Sequence, residues 1–334
     1  MATYKGIHGT KIQDFTSDPA NPLEGQVWYN ETDNVLKYFY INPGSWSTGG
    51  DLNTARSNPR GTGTQTAALS FGGKTPALNE LALTESYNGS TWAELNDLNT
   101  ARTVLGGAGT STAALAFGGE NGSPGDPNGG MTAATESWNG TSWTEVNDLN
   151  AVKQDLGGAG TQTSALAFGG NVSGVGIVGT TETWNGTNWT EVNDLNTARQ
   201  EVAGGGANNT SALCLAGEEP AVSGKTESWN GTNWTEVNDL NTVRRLTMGS
   251  AGTQTSHLFW GGYDGSPPIA LAITESWNGT NWTEVADLNI GRNGIGGAGA
   301  GNTSALAFGG NLPGATAATE EWSVGPATVT ITTS

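Results

Sequence analysis

Few side chains in this chain of 334 residues could carry chemistry: two histidines, one cysteine and 31 carboxylates, set against 13 lysines and arginines. His8 lies near the N-terminus and His257 opens the apolar run His257-Leu258-Phe259-Trp260, so neither has a neighbour in sequence that would make it a general base. Cys214 falls where Ala167 falls in the related segment Ser164-Ala165-Leu166-Ala167-Phe168. A single thiol builds neither a disulfide nor a thiolate metal site, and this one is expected to be an inert core residue. Glycoside cleavage needs only two carboxylates, yet no pair among the 31 stands apart. The expectation is a protein with no catalytic residue, metal or cofactor, with a carboxylate-based glycan-cleaving enzyme as the alternative.

Charged residues do recur with a period. Glu85, Glu136, Glu182, Glu227, Glu275 and Glu320 each stand two residues before an aromatic, and Arg56, Arg102, Lys153, Arg199, Arg244 and Arg292 recur at a matching phase. Six acids and six bases in step predict one charge-assisted pair per unit or per junction; a ring of bases gripping an anion is the other reading. Asp51, Asp97, Asp148, Asp194, Asp239 and Asp287 also recur, and are expected to cap the turns in which they lie.

The units that must position these charges are marked by aromatic pairs: Tyr87/Trp92, Trp138/Trp143, Trp184/Trp189, Trp229/Trp234 and Trp277/Trp282. Trp322 has the context of a first member and Trp46 that of a second, so a sixth pair is split between the two ends of the chain. The steps from Trp46 through Trp92, Trp143, Trp189, Trp234 and Trp282 run from 45 to 51 residues. Repeats of this length belong to propellers, whose blades are four-stranded sheets about a channel. The 52 glycines suit short strands and tight turns, and no stretch keeps a helical apolar period.

One unit runs from the small, glycine-rich Gly157-Gly158-Ala159-Gly160 through the apolar Ser164 to Phe168 and Gly169-Gly170. A variable loop then leads to Thr181-Glu182-Thr183-Trp184, the turn Asn185-Gly186-Thr187-Asn188 and Trp189-Thr190-Glu191-Val192. Glycine suits an innermost strand where backbones crowd, and the apolar second strand suits burial on both faces. Asn-Gly marks a hairpin; across a four-residue loop the two aromatics stand opposite one another, across a two-residue turn they stand diagonally, and in either case they can touch. Burying one such ring removes roughly 150 to 250 Å² from water, worth about 4 to 6 kcal/mol gross, so these rings read as cement between strands. The elements of this plan, a diglycine such as Gly118-Gly119, Glu136, Trp138, Trp143 and a closing base such as Arg102, resemble the Kelch family of propellers over residues 44 to 323. The fourth unit departs from it with Ala216-Gly217, and Lys153 replaces the arginine of one unit. The resemblance implies an all-β, six-bladed Kelch-type β-propeller over residues 44–334, closed by an N-terminal strand around Trp46. The run Ala327 to Thr332 also reads as a strand, which either competes for that closing role or adds to the sixth blade.

Residues 1–43 lie outside the repeat. Gly25 to Asn30 and Val35 to Tyr38 predict a short β-hairpin across Thr32-Asp33-Asn34, with Trp28, Tyr38, Phe39 and Tyr40 available for packing. The segment is similar to modules near the N-termini of tailed-phage fibre and other virion structural proteins. That resemblance implies an attachment or oligomerisation segment, with other virion proteins and further copies of this chain as partners. The net charge of −18 repels phosphate backbones and anionic lipid, so neither nucleic-acid binding nor membrane insertion is expected. No apolar leader is seen in the first twenty residues, and a virion location, after synthesis in the host cytoplasm without a signal peptide, fits both resemblances.

Function is read from where the units differ. One face of such a fold carries near-identical turns, while the other carries the loops Lys74 to Leu83, Glu120 to Ala134, Asn171 to Thr180, Glu218 to Lys225, Tyr263 to Ile273 and Asn311 to Ala318. A rigid scaffold with variable loops is the usual build of a recognition surface. Asn121, Asp126, Asn128, Gln154, Gln200, Arg245, Tyr263 and Asp264 are the expected ligand contacts, and host-surface glycan or protein the expected ligand. A purely structural virion subunit, with loops that drift freely, is the alternative.

Overall fold

The structure, a computed structural model, describes residues 12–77, 79–122, 129–246, 249–266 and 270–331. Every regular element among them is a strand. They divide into two compact units, one holding the described residues up to Gly44 with those from Val324, the other Ser45–Ser323.

In the first unit the expected hairpin forms: Val27–Asn30 pairs with the strand Val35–Thr48 in the register Asn30 to Val35 and Val27 to Tyr38. Asn34 closes the turn at φ 56°, a conformation that asparagine tolerates. Gln13–Phe15 adds in parallel to the other edge of Val27–Asn30. Asp18 ties the piece together, accepting from Trp28 Nε1 at 3.1 Å, Asn30 Nδ2 at 2.8 Å and Lys37 Nζ at 3.0 Å. These donors, Asn30 and Lys37 first, hold its carboxyl below the usual range.

The second unit is a propeller-like set of antiparallel sheets. Five have four strands in chain order, as in Gly157–Thr161, Ser164–Phe168, Thr181–Trp184 and Trp189–Val192. A further sheet begins with Gly296–Gly301 and Ser304–Phe308 and continues into Thr319–Ile331 and Val35–Thr48, so it draws on both ends of the sequence. The tail read as a strand from Ala327 is the distal part of Thr319–Ile331. Within the second unit, Gly49 N–H donates to Thr319 O at 2.9 Å and the rings of Trp46 and Trp322 lie 5.5 Å apart.

Glycine in the inner strands is a matter of room. A Cβ on Gly158 would sit 2.6 Å from the carbonyl oxygen of Gly107 in the preceding sheet, and one on Gly157 would sit 2.2 Å from the ring of Phe168. Inner strands therefore meet backbone to backbone.

The aromatic pairs act at two levels. In each hairpin the two rings stand directly opposite, as in Trp184 and Trp189, 5.3 Å apart. Asn185 Oδ1 accepts from the N–H groups of Thr187 and Asn188, and it is Gly186 alone that takes positive φ, so asparagine serves here by its side chain rather than by its backbone freedom. The second ring also reaches the preceding sheet. Trp189 Nε1 donates to Thr135 Oγ1 at 3.1 Å and its ring packs edge-on against Phe117 at 4.9 Å. Trp143 with Thr84 and Phe71, and Trp234 with Thr181 and Phe168, repeat the joint.

The expected ion pairs are present in every repeat: Arg56–Glu85, Arg102–Glu136, Lys153–Glu182, Arg199–Glu227, Arg244–Glu275 and Arg292–Glu320, all buried. Each glutamate uses its other oxygen on an asparagine of the incoming connection, as Glu136 Oε2 does with Asn99 N at 2.7 Å and Nδ2 at 2.8 Å. That asparagine, in the recurring Asp-Leu-Asn, escaped the sequence analysis. The periodic aspartates cap a different place from the one expected. Asp148 Oδ1 accepts from Thr135 N at 3.0 Å, fixing the start of its own sheet's third strand instead of its own turn, because the first N–H of that strand has no ladder partner there.

Candidate functional site: the variable rim

The two faces of the second unit differ in what their side chains are used for. On the uniform face the turns between first and second strands reach to the neighbouring sheet. Gln162 Nε2 donates to Ser137 Oγ, Asn209 to Trp184 O at 3.2 Å and Gln254 to Trp229 O at 2.7 Å. The monotony of that face follows from this interlock.

The opposite face is built on the residue that follows each buried base. Backbone bridges join Ser57 to Lys74, Thr103 to Glu120, Gln154 to Asn171, Gln200 to Glu218, Arg245 to Tyr263 and Asn293 to Asn311. These bridges use N–H and C=O groups, as in Arg245 N to Tyr263 O at 2.9 Å and the return bond at 3.0 Å. Side-chain identity is thus left open, and no single residue type is common to all twelve positions.

One position further on, Asn58, Val104, Asp155, Glu201, Leu246 and Gly294 all take left-handed backbone, with φ between 48° and 57°. For residues other than glycine this conformation is costly unless the surroundings impose it. Bonds across sheets impose it: Asp155 N donates to Val104 O at 3.0 Å, Glu201 N to Asp155 O at 2.9 Å, Asn58 N to Gly294 O at 2.7 Å and Gly294 N to Leu246 O at 2.6 Å. The rim is therefore a rigid backbone frame with side chains mounted on it.

The frame brings together Gln200, Arg245 and Tyr263 of the expected contacts. Arg245 Nη1 lies 2.5 Å from Glu218 Oε2 and 3.2 Å from Glu201 Oε2, and its guanidinium carbon sits 5.5 Å from the centre of the Tyr263 ring. Gln200 donates to Glu218 at 3.0 Å and accepts from Asn171 Nδ2 at 2.8 Å, and Asn171 is the bridge partner of Gln154. Asp264 follows Tyr263 and accepts from Ser266 N at 2.9 Å. Asn121 belongs elsewhere on the rim, where its N–H donates to Gly130 O, beside the separate charge cluster of Lys74 with Glu120 at 3.2 Å and Glu80 at 3.7 Å. Asp126 and Asn128 lie outside the described residues. Glu218 and Asn171, absent from the expected contacts, link the others; their only mark in sequence is that each opens a variable loop.

Electrostatics single out Asp155. Burial, then the nearby Glu201, pushes its carboxyl up to about 7, with Gln154 and Lys74 offsetting part of the rise. Burial also raises Glu201, against the pull of Arg245. The rim can thus offer a planar cation stacked on an aromatic ring, amide donors and acceptors, and a carboxyl that exchanges its proton near neutral pH. His257 and Cys214 offer nothing: both are fully buried in second strands, and burial pushes the thiol up to about 12.

No family model matches the chain, and no curated protein does either.

Proposed function

We propose that the second unit is a closed, six-bladed propeller of Kelch type, and that the chain is a non-enzymatic phage virion protein whose variable rim recognises host-surface glycan or protein. Closure is supported by the last inner strand, Gly296–Gly301, which flanks the first, Arg60–Thr64, and by a cavity that inner strands of all the repeats line. Completion of the last sheet by residues around Trp46 supports it too. The Kelch assignment draws on the buried base–glutamate pairs and the paired aromatics, the virion assignment on the resemblance of residues 1–43.

The observation that carries the recognition reading is the division of labour between faces. Turn side chains on one face are consumed in bonds to the backbone of the neighbouring sheet, while rim side chains are mounted on backbone bridges and bond to one another, as Arg245 does to Glu218 and Gln200 to Asn171. A polar side chain held only by other rim side chains can exchange those partners for a ligand. Tyr263 with Arg245 and the amides of Gln154 and Gln200 suit a sugar, which is recognised by stacking and by paired donors and acceptors. Binding of the purified protein to envelope preparations from a panel of bacteria tests this. Tyr263→Ala and Gln200→Ala are expected to lose binding with melting unchanged, and equal binding by these variants on every envelope would overturn it.

The structural-subunit reading is favoured by one observation: Arg245, Glu218, Glu201 and Gln200 satisfy each other. It predicts that no envelope binds. The glycan-cleaving alternative draws on Asp155, protonated near neutrality beside Glu201, as acid and partner carboxylate. It predicts release of soluble oligosaccharide, abolished in Asp155→Asn.

A further inference from the structure

The interlock on the uniform face is missing at one junction between sheets. Elsewhere a single amide nitrogen, from the turn between first and second strands, serves the same two acceptors of the neighbouring sheet: the hydroxyl before the first aromatic of the pair and the carbonyl of that aromatic. Gln162 Nε2 donates to Ser137 Oγ at 3.0 Å and to Trp138 O, and Asn209 Nδ2 to Thr183 Oγ1 at 2.8 Å and Trp184 O at 3.2 Å. Gln254 Nε2 donates to Ser228 Oγ at 2.6 Å and Trp229 O at 2.7 Å, and Asn302 Nδ2 to Ser276 Oγ and Trp277 O, both at 3.1 Å. Gln65 keeps the carbonyl bond, to Trp322 O at 2.8 Å. The N–H groups of a primary amide fit a hydroxyl and a carbonyl side by side, so this step of hydroxyl residue and aromatic is a receptor for one NH2 group.

The sheet that begins with Arg60–Thr64 presents the same step, Ser86-Tyr87, in the same register. Ser86 pairs with Leu69 and Tyr87 with Ala68, as Thr183 pairs with Leu166 and Trp184 with Ala165. In the next sheet, however, the residue that should supply the amide is Ser111, whose side chain is too short to reach. Its turn closes on itself instead, Thr110 N donating to Ala113 O at 2.8 Å and Ala113 N to Thr110 Oγ1 at 3.1 Å. Ser86 Oγ and Ser111 Oγ have no hydrogen-bond partner among the described residues, and neither is sealed from solvent. Ala67, which begins the second strand beside them, is exposed, where Ser164 and Ser304 in its place are half-buried and donate to Asn209 Oδ1 and Gln65 Oε1, each at 2.9 Å. Gln162 stands opposite Ala113 and does without that last bond, so the two acceptors suffice to hold an amide. The junction is a notch with its acceptors in place and its donor absent.

We propose that this notch, formed by Ala67, Ser86, Tyr87 and Ser111, is a docking site for the carboxamide of a glutamine or asparagine on a turn of a partner protein, which supplies the amide that the fold leaves out. A carboxylate in that place brings no donor to the two acceptors. The notch lies on the face opposite the rim, and stands whether or not the rim recognises anything.

The probe is a peptide of the sequence Gly160 to Thr163, acetylated at one end and closed as the N-methylamide at the other, so that its glutamine holds the only primary amide. Amide NMR signals of the full chain are followed as the peptide is added. Saturable shifts at Ser86, Tyr87 and Ser111 are expected. They should vanish when glutamate replaces the peptide's glutamine, and binding should weaken at least about tenfold in Ser111→Gln, whose own side chain fills the notch. Absence of saturable shifts at about 10 mM peptide, or equal shifts with the glutamate peptide or in Ser111→Gln, overturns the proposal. Should Ser111→Gln fail to fold, Ser86→Ala takes its place: weakened binding supports the site, and unchanged binding removes it.

Discussion

The indole N–H of Trp46 donates to Thr274 Oγ1 at 3.0 Å, though 228 positions separate the two residues in sequence. The bond is the same one that Trp143 makes to Thr84 and Trp189 to Thr135 between consecutive sheets. Trp46 also packs against Trp260, with ring centres 5.2 Å apart, where Trp143 has Phe71.

Trp46→Ala is therefore expected to cost as much as Trp143→Ala, about 3–5 kcal/mol for a buried tryptophan. Deletion of residues 44 to 50 should lower the melting temperature by many degrees. Chemical denaturation of both variants checks this; a near-neutral Trp46→Ala would remove the main support for the closed ring.

Arg102 and Glu136, both buried, contact each other at 2.8 Å. Arg102→Met leaves Glu136 with Asn99 but without a counter-charge, and should cost about 3–5 kcal/mol. Arg102→Met with Glu136→Leu should cost clearly less than the sum of the single losses. A double-mutant cycle in urea measures the difference, and strict additivity would contradict the pairing.

How far these relationships were legible in the sequence depends on whether side chain or backbone carries them. The glutamate–base pairs and facing aromatics were, because each needs a particular side chain in every repeat. The left-handed frame of the rim was not. Asn58, Val104, Asp155, Glu201 and Leu246 share no chemistry, and bonds from neighbouring sheets impose their conformation. The notch at Ser111 was hidden for another reason: its turn reads as one more variant of the turn around Gln162, and only the bonds that Gln162 makes show that the joint depends on an amide. Gln200, Arg245 and Tyr263 were singled out by their variability and lie together on the rim, whereas Glu218, which links them, was passed over as a loop boundary.

Asp155 makes stability depend on pH. Its carboxyl titrates near 7 when folded, against about 3.9 in an unfolded chain. Between these values the folded state binds more protons, so this residue's contribution falls as pH rises from about 4 to 7. The loss is at most about 4 kcal/mol. Asp155→Asn, whose side chain suits φ 57°, should abolish that fall and be the more stable protein at pH 8. Urea midpoints at stepped pH provide the measurement; parallel curves for the two proteins would refute it.

His257 works in the opposite sense. Burial holds its imidazole down at about 4, against an unfolded value of about 6.5, so its neutral form supports the fold above pH 6.5 and that support is lost as pH falls towards 4. Corresponding positions in other sheets carry alanine, among them Ala165 and Ala212. His257→Ala should lose stability evenly at neutral pH, through the space left beside Trp282, yet decline less steeply in acid. An acid limb as steep as that of the wild type would show that another group governs it.

The paired bridges of the rim, such as Gln200 with Glu218 and Arg245 with Tyr263, have an evolutionary consequence. Since main-chain atoms hold them, an exchange of side chain there changes what the surface displays without asking the scaffold to adapt. Mutation can revise these sites with the frame intact, singly where a side chain stands alone and together where side chains pair, as Arg245 does with Glu218, so descendants of one sequence can diverge quickly at the rim while keeping a common frame.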